Sequence, residues 1–208
     1  MKRVYILLTD TGTVFTKCIR VFTGKKYNHA SLGLDLQLNQ VYSFGRKKVT
    51  NPFDGGFVKE NLYQDFFLQA SCQVYCFEVA EEQFERLQDT VQAFGLDSAK
   101  YKYNLLGLVG IALHQHWNRK DAYFCSQFLA HVFEESQTVR FSKPIYLITP
   151  TDLIEAVQPR LVYEGTVDEY LANSATYIES PITVYGTSQK YGTSSVKKWG
   201  FPVINRFF

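Results

Sequence analysis

The sequence predicts an α+β fold, an antiparallel sheet packed against segregated helices, and three observations carry that expectation. Residues 29–36 alternate, with Ala30, Leu32, Leu34 and Leu36 on one face and His29, Ser31, Gly33 and Asp35 on the other, the period of a half-buried strand. Three segments of helical period follow one another after residue 80 instead of alternating with strands as βαβ units do. The chain has 208 residues, 46% of them hydrophobic and 16% aromatic, enough to bury one sizeable core.

The elements read in order from the N-terminus. Met1 to Thr9 has a basic start and an apolar run that is too short for a signal peptide and lacks a small-residue cleavage site. It reads as a first strand, about residues 3 to 8, with a capped helix from 12 to 23, and a cytoplasmic location is the expectation. Strands follow at 29 to 36 and 40 to 46. The cluster Asn51-Pro52-Phe53-Asp54-Gly55-Gly56 marks a loop. Residues 72 to 79 alternate as a strand, and helices are expected over Glu81 to Phe94, Tyr103 to Leu113 and Phe124 to Glu134. The first of these opens with Glu81-Glu82, suited to the positive end of a helix. Thr149-Pro150 marks a further helix start, with Pro150 at the first helical position. Arg160 to Glu164 reads as a last strand.

Residues 1–170 form the expected domain. Residues 171–208 form an extension in which Tyr185-Gly186-Thr187-Ser188 recurs as Tyr191-Gly192-Thr193-Ser194 and aromatic residues remain frequent. Such a segment is too aromatic for a solvated linker. It is expected to dock on its own domain, with self-association through the tail as the rival.

A net charge of +2 with interspersed basic residues suggests no phosphate-tracking surface, so nucleic acid is not an expected partner. No run approaches the ~20 apolar residues of a membrane span. Four cysteines without an export signal do not form a disulfide framework. Cys72 and Cys76 share a strand face without a second Cys or His pair to complete a zinc site. They read as core, as does Cys18. His114 and His116 are separated by one residue, do not face each other on a helix, and read as a solvated helix end. No metal or cofactor is expected.

Chemistry concentrates at Tyr123-Phe124-Cys125-Ser126-Gln127-Phe128-Leu129. Phe124, Phe128, Leu129 and Val132 recur at helical spacing and hold the helix against a core, leaving Cys125 at its start. First-turn amides lack intrahelical acceptors and the helix dipole is positive there, so a thiolate is favoured. The partner is His29, on the polar face of its strand beside small neighbours. The competing readings are a buried core cysteine and a structural histidine.

The order Asn28-His29-Ala30-Ser31-Leu32-Gly33, Tyr101-Lys102-Tyr103-Asn104, then Phe124-Cys125-Ser126-Gln127 resembles the circularly permuted papain-like amidases. These belong to the NlpC-type superfamily, with the YaeF/YiiX group and, more distantly, lecithin:retinol acyltransferase relatives. The resemblance spans about residues 3 to 165. It implies a permuted papain-like fold with Cys125 as nucleophile, His29 as base and no cofactor. It further implies a polar third member on the strand after the histidine strand, where Ser43 is the best match; another residue such as Glu60 in that place would leave the dyad intact. Tyr103 resembles an oxyanion or substrate contact, with an aromatic helix staple as the other reading. Arg46 suits a substrate carboxylate, against a solvated strand end. The implied activity is thiol hydrolysis of an amide, peptide or isopeptide-like, on a small peptide or acyl-amide substrate. An acyltransferase or thioesterase using the same dyad, and a catalytically silent binding module, remain alternatives.

Overall fold

Six consecutive buried residues, Val4 to Thr9, give strand β1 (Lys2–Asp10) no solvent-facing side, so β1 can only lie inside a sheet covered on both faces. The computed structural model describes residues 1–10, 26–48, 51–104 and 119–174, and the backbone alone at 46–48 and 51–54. Within these, β1 pairs antiparallel with β2 (His29–Gly33) on one side and β5 (Ser71–Val79) on the other. β2 pairs with β3 (Val41–Lys48), β3 with β4 (Asn51–Glu60), and β5 with β8 (Arg160–Thr166), all antiparallel. The resulting sheet has the order β4-β3-β2-β1-β5-β8. A parallel pair, β6 (Lys102–Tyr103) and β7 (Ala122–Tyr123), forms its own two-stranded sheet packed against β4.

Alternation sorts the side chains into two cores. One joins Val4, Ile6, Leu8, Ala30, Leu32, Phe44 and Phe57 to helix α2 (Glu81–Leu96), through Leu87, Val91 and Phe94, and to helix α3 (Cys125–Glu135), through Phe128, Leu129, Val132 and Phe133. The opposite face carries Tyr5, Leu7, Val41, Cys72, Val74 and Cys76. It is covered by Phe67 of α1 (Asp65–Leu68) and by Val167 and Tyr170 of α5 (Val167–Asn173). Each fully buried side chain of this size contributes roughly 1.5–3 kcal/mol, so the helices are held by packing far more than by propensity. Helix α4 (Pro150–Val157) starts as its sequence suggests: Pro150 is at the first position, and Thr149 and Asp152 form a reciprocal capping box.

The α+β class therefore holds, with corrections at the element level. The strand expected to reach residue 36 stops at Gly33, because Asp35 turns its carboxylate back onto the amides of Asn39 and Gln40 at 3.0 and 2.7 Å and closes a turn. The segment expected to loop at 51–56 is the first half of β4, hairpin partner of β3. Gly55 serves close approach instead of a turn. A Cβ on Gly55 would lie 2.7 Å from the Tyr103 Cβ and 2.9 Å from the Gly45 carbonyl oxygen. Gly55→Ala is accordingly expected to destabilise the protein by roughly 1–3 kcal/mol, read as a lower denaturation midpoint at unchanged m-value.

Tyr103, expected to start a helix, is a strand residue. The amide of Lys102 donates to the Asp121 carbonyl and that of Asn104 to the Tyr123 carbonyl, at 3.0 and 2.8 Å, tying this stretch alongside β7. Helix α5 runs through the boundary expected at residue 170, and Tyr170 Oη donates to the Leu36 carbonyl at 2.7 Å. The helix expected at 12–23 with Cys18, the remainder of that expected at 103–113, His114, His116, and the tail from 175 lie outside the described residues. Among those described, no helix is long and apolar enough to cross a membrane.

Candidate active site

Cys125 is the first residue of α3, and Phe124, in extended conformation before it, provides no side-chain cap. The first-turn amides are left to other acceptors. Eight of the eleven residues in the helix are buried, Cys125 to Ala130 among them. Ser126 Oγ donates to the Ile148 carbonyl at 2.6 Å. The start of the helix is thus anchored by packing and by a buried hydrogen bond, which hold the thiol in place.

His29 opens β2, with Thr9 of β1 opposite in register. Its imidazole and the Cys125 thiol interact directly, and each shifts the pKa of the other. Nε2 lies 2.7 Å from Glu60 Oε1, so Nε2–H is the donor to the carboxylate and Nδ1 is the nitrogen left for the thiol. Glu60 ends β4. Its side chain is 4% exposed against 17% for His29, and Cys125 is 4% exposed, so the imidazole is the member of the group most open to a reactant. Gly45 lies beside that ring: a Cβ there would be 3.6 Å from the ring Cε1, an ordinary contact distance.

Two hydroxyls complete the coordination of the carboxylate. Ser43 Oγ donates to Glu60 Oε1 at 2.5 Å and Ser31 Oγ to Oε2 at 2.8 Å. Ser43 therefore does not orient His29 directly as expected. The side chain that does so is Glu60, one strand further on, and Ser43 supports it.

The electrostatics follow from these contacts. Burial works most strongly against the charged imidazole, yet the charge of Glu60 and the hydrogen bonds to Cys125 and Glu60 leave the pKa of His29 raised. Burial likewise opposes the thiolate and is outweighed by the hydrogen bond and charge of His29, with the backbone amides of Ala30 and Ser126 adding to them, so the pKa of Cys125 is lowered. For Glu60 the same burial penalty is outweighed by His29 and then by the two serines, and its pKa is also lowered. The combined effect favours a thiolate, an imidazolium and a carboxylate in one row.

The other two expected contacts, Tyr103 and Arg46, lie on β6 and β3. Tyr103 packs on the helix-facing core with its Cβ against Gly55, two residues ahead of α3 in register with Tyr123. Arg46 lies on β3 opposite Gly55, and its side chain is outside the described residues. Cys72 and Cys76 are buried in the far core, and burial pushes both thiols up, Cys72 to about 12. Among the described residues no group of three His, Cys, Asp or Glu side chains is placed to hold a metal ion.

Comparison with known proteins gives no match to a family model, to a curated protein or to a solved structure.

Proposed function

We propose that this chain is a thiol hydrolase that cleaves an amide bond, peptide or isopeptide-like, through a thioester on Cys125. It would act on small peptides or acyl amides in the cytoplasm with a permuted papain-like arrangement of its elements. The observation that carries this reading is the row Cys125, His29 and Glu60: a thiol at an uncapped helix start, an imidazole that lowers its pKa, and a buried carboxylate hydrogen-bonded to Nε2 of that imidazole. The sequence order, histidine strand before nucleophile helix, supports the permuted family.

The chemistry then runs in two halves. The Cys125 thiolate attacks the carbonyl carbon while the Cys125 amide, one of the first-turn N–H groups, steadies the oxyanion. The C–N bond breaks as imidazolium His29 gives its proton to the departing amine, leaving a thioester and a neutral ring. That ring takes a proton from water as the water oxygen attacks the thioester carbonyl; the C–S bond then breaks, which restores the Cys125 thiolate and the His29 imidazolium and releases the carboxylic acid. An amine or alcohol acceptor in place of water would make the same site an acyltransferase. Glu60 also supplies the orienting group whose absence would favour a silent binding module.

The expected pH dependence is bell-shaped. Acylation rises as pH passes the lowered thiol pKa and falls as pH passes the raised imidazole pKa, because the proton donor is then lost. The two limbs belong to the coupled pair. Activated esters and short peptide amides provide the test: a burst of first product equal to the protein concentration, with the matching mass gain on Cys125, is expected. No acyl-enzyme from any of them would defeat the hydrolase and transferase readings together. Acyl-enzyme that persists in water and discharges onto added amines would select the transferase.

A further inference from the structure

The row Cys125, His29 and Glu60 works only while Glu60 is ionised and correctly turned, and burial is the strongest influence against its charge. We infer that Ser31 and Ser43 are positioning residues that hold Glu60 as a carboxylate and thereby fix the tautomer of His29. This inference rests on the proposed thiol chemistry.

The argument is one of hydrogen-bond valence. A carboxylate accepts only, and a serine hydroxyl has one proton to give. Glu60 Oε1 takes the Nε2–H of His29 and the proton of Ser43, at 2.7 and 2.5 Å, while Oε2 takes the proton of Ser31 at 2.8 Å. Both serines are fully buried. A protonated Glu60 would have an O–H to place among three groups already arranged to donate, so the cage disfavours protonation. With both oxygens committed to donors, His29 must present Nε2–H to Glu60 and Nδ1 to Cys125.

The fold explains why two serines stand there. They lie on neighbouring strands, β2 and β3, and on the sheet face opposite Ala30, Leu32 and Phe44, which enter the helix-facing core. On that same face Gly45 approaches the ring. A larger side chain at residue 31 or 43 would displace the carboxylate; alanine would leave the space but no donor. A merely structural role for these hydroxyls would alter stability alone. The inferred role alters the ionisation of the Cys125 thiol, while the serine hydroxyls donate to Glu60.

The test is the pH dependence of Cys125 alkylation by iodoacetamide in the full chain, for wild type, Ser31→Ala, Ser43→Ala and the double variant. Loss of the donors raises the carboxylate pKa, weakens its charge on His29, and so weakens the imidazolium that favours the thiolate. The acid limb of alkylation should move to higher pH, giving a rate on that limb roughly tenfold below wild type in the double variant, the scale of a hydrogen bond to a charged group. The alkaline limb of any turnover should move to lower pH. Ser136→Ala loses an equally buried hydroxyl, bonded to the Phe133 carbonyl at 3.1 Å near the far end of α3, and should leave both limbs in place. Should the double variant fail to fold, each single variant must still shift the limb in the same direction. Unmoved limbs in folded serine variants, alongside a limb that moves in Glu60→Gln, would overturn the inference and leave the thiol chemistry standing. Unmoved limbs in Glu60→Gln as well would remove Glu60 from the site.

Discussion

Replacing His29 with alanine is expected to slow acylation of Cys125 by roughly 10²–10⁴-fold, the usual contribution of a positioned acid–base group, and to end the preference of small electrophiles for Cys125 at neutral pH. The reasoning begins with what an unassisted thiol does. With a pKa of ~8.5 it is only a few per cent ionised at pH 7, and the thiolate alone is the nucleophile. Cys72 and Cys76 are worse placed still, buried in the core with raised pKa values. Cys125 alone among the described cysteines has a lowered pKa, with His29 the strongest influence lowering it. Pulse labelling with iodoacetamide at pH 7 followed by peptide mapping should therefore find Cys125 modified at least ~10-fold faster than Cys72 or Cys76. In His29→Ala that lead should collapse, leaving only what the helix start and the two backbone amides supply. Equal labelling of all the cysteines in the native protein would sink the enzyme reading.

The parts of the site that were legible in the sequence are those set by local pattern. The helical period of Phe124, Phe128, Leu129 and Val132 places Cys125 at a helix start, and the alternation of residues 29–36 places His29 on a polar face; neither needs knowledge of what lies across the chain. Glu60, named only as the alternative to Ser43, was obscured for a different reason. Asn51-Pro52 and Gly55-Gly56 carry the composition of a turn, and only the tertiary fact that Gly55 lies against Tyr103 and the Gly45 carbonyl explains glycine inside a strand. Once those residues are read as a loop, the strand that delivers Glu60 to His29 disappears. The alternation of Phe57, which enters the core, with Val58 and Glu60 on the other face was the available signal, four residues long and overshadowed by its neighbours. Ser43 was found on the right strand but one contact out of place, since strand order is a long-range property and side-chain reach across three strands is not written in any period. The pairing β6 with β7 was invisible for the same reason: a two-residue strand has no period at all.

Glu60→Gln is the substitution that separates function from folding at this site. Glutamine has the shape of glutamate and no charge, so the imidazolium loses its counter-charge, the pKa of His29 falls, and the thiolate loses its partner. If the amide nitrogen faces the ring, Nε2 becomes an acceptor, the remaining proton moves to Nδ1, and the ring can no longer take a proton from the thiol. Either way acylation should fall by roughly 10²–10⁴-fold. Stability should change little, by about 1 kcal/mol in either direction, because a buried charge is removed together with the hydrogen bonds it accepted. Glu60→Ala differs, since it leaves the donors of His29, Ser31 and Ser43 buried and unmet and should cost roughly 3–5 kcal/mol. The pH dependence of the stability difference checks the assignment. A carboxylate with a lowered folded pKa contributes fully above its unfolded pKa of ~4.3, and that contribution is lost as pH falls through the folded value. An imidazole with a raised folded pKa contributes fully below its unfolded pKa of ~6.5, and that contribution is lost as pH rises through the folded value. The two windows overlap between ~4.3 and ~6.5, so the stability of wild type relative to Glu60→Gln should be greatest there and decline on both sides. Urea titrations across that range measure it, and a difference independent of pH would mean that Glu60 and His29 are not the ion pair on which the thiol chemistry depends.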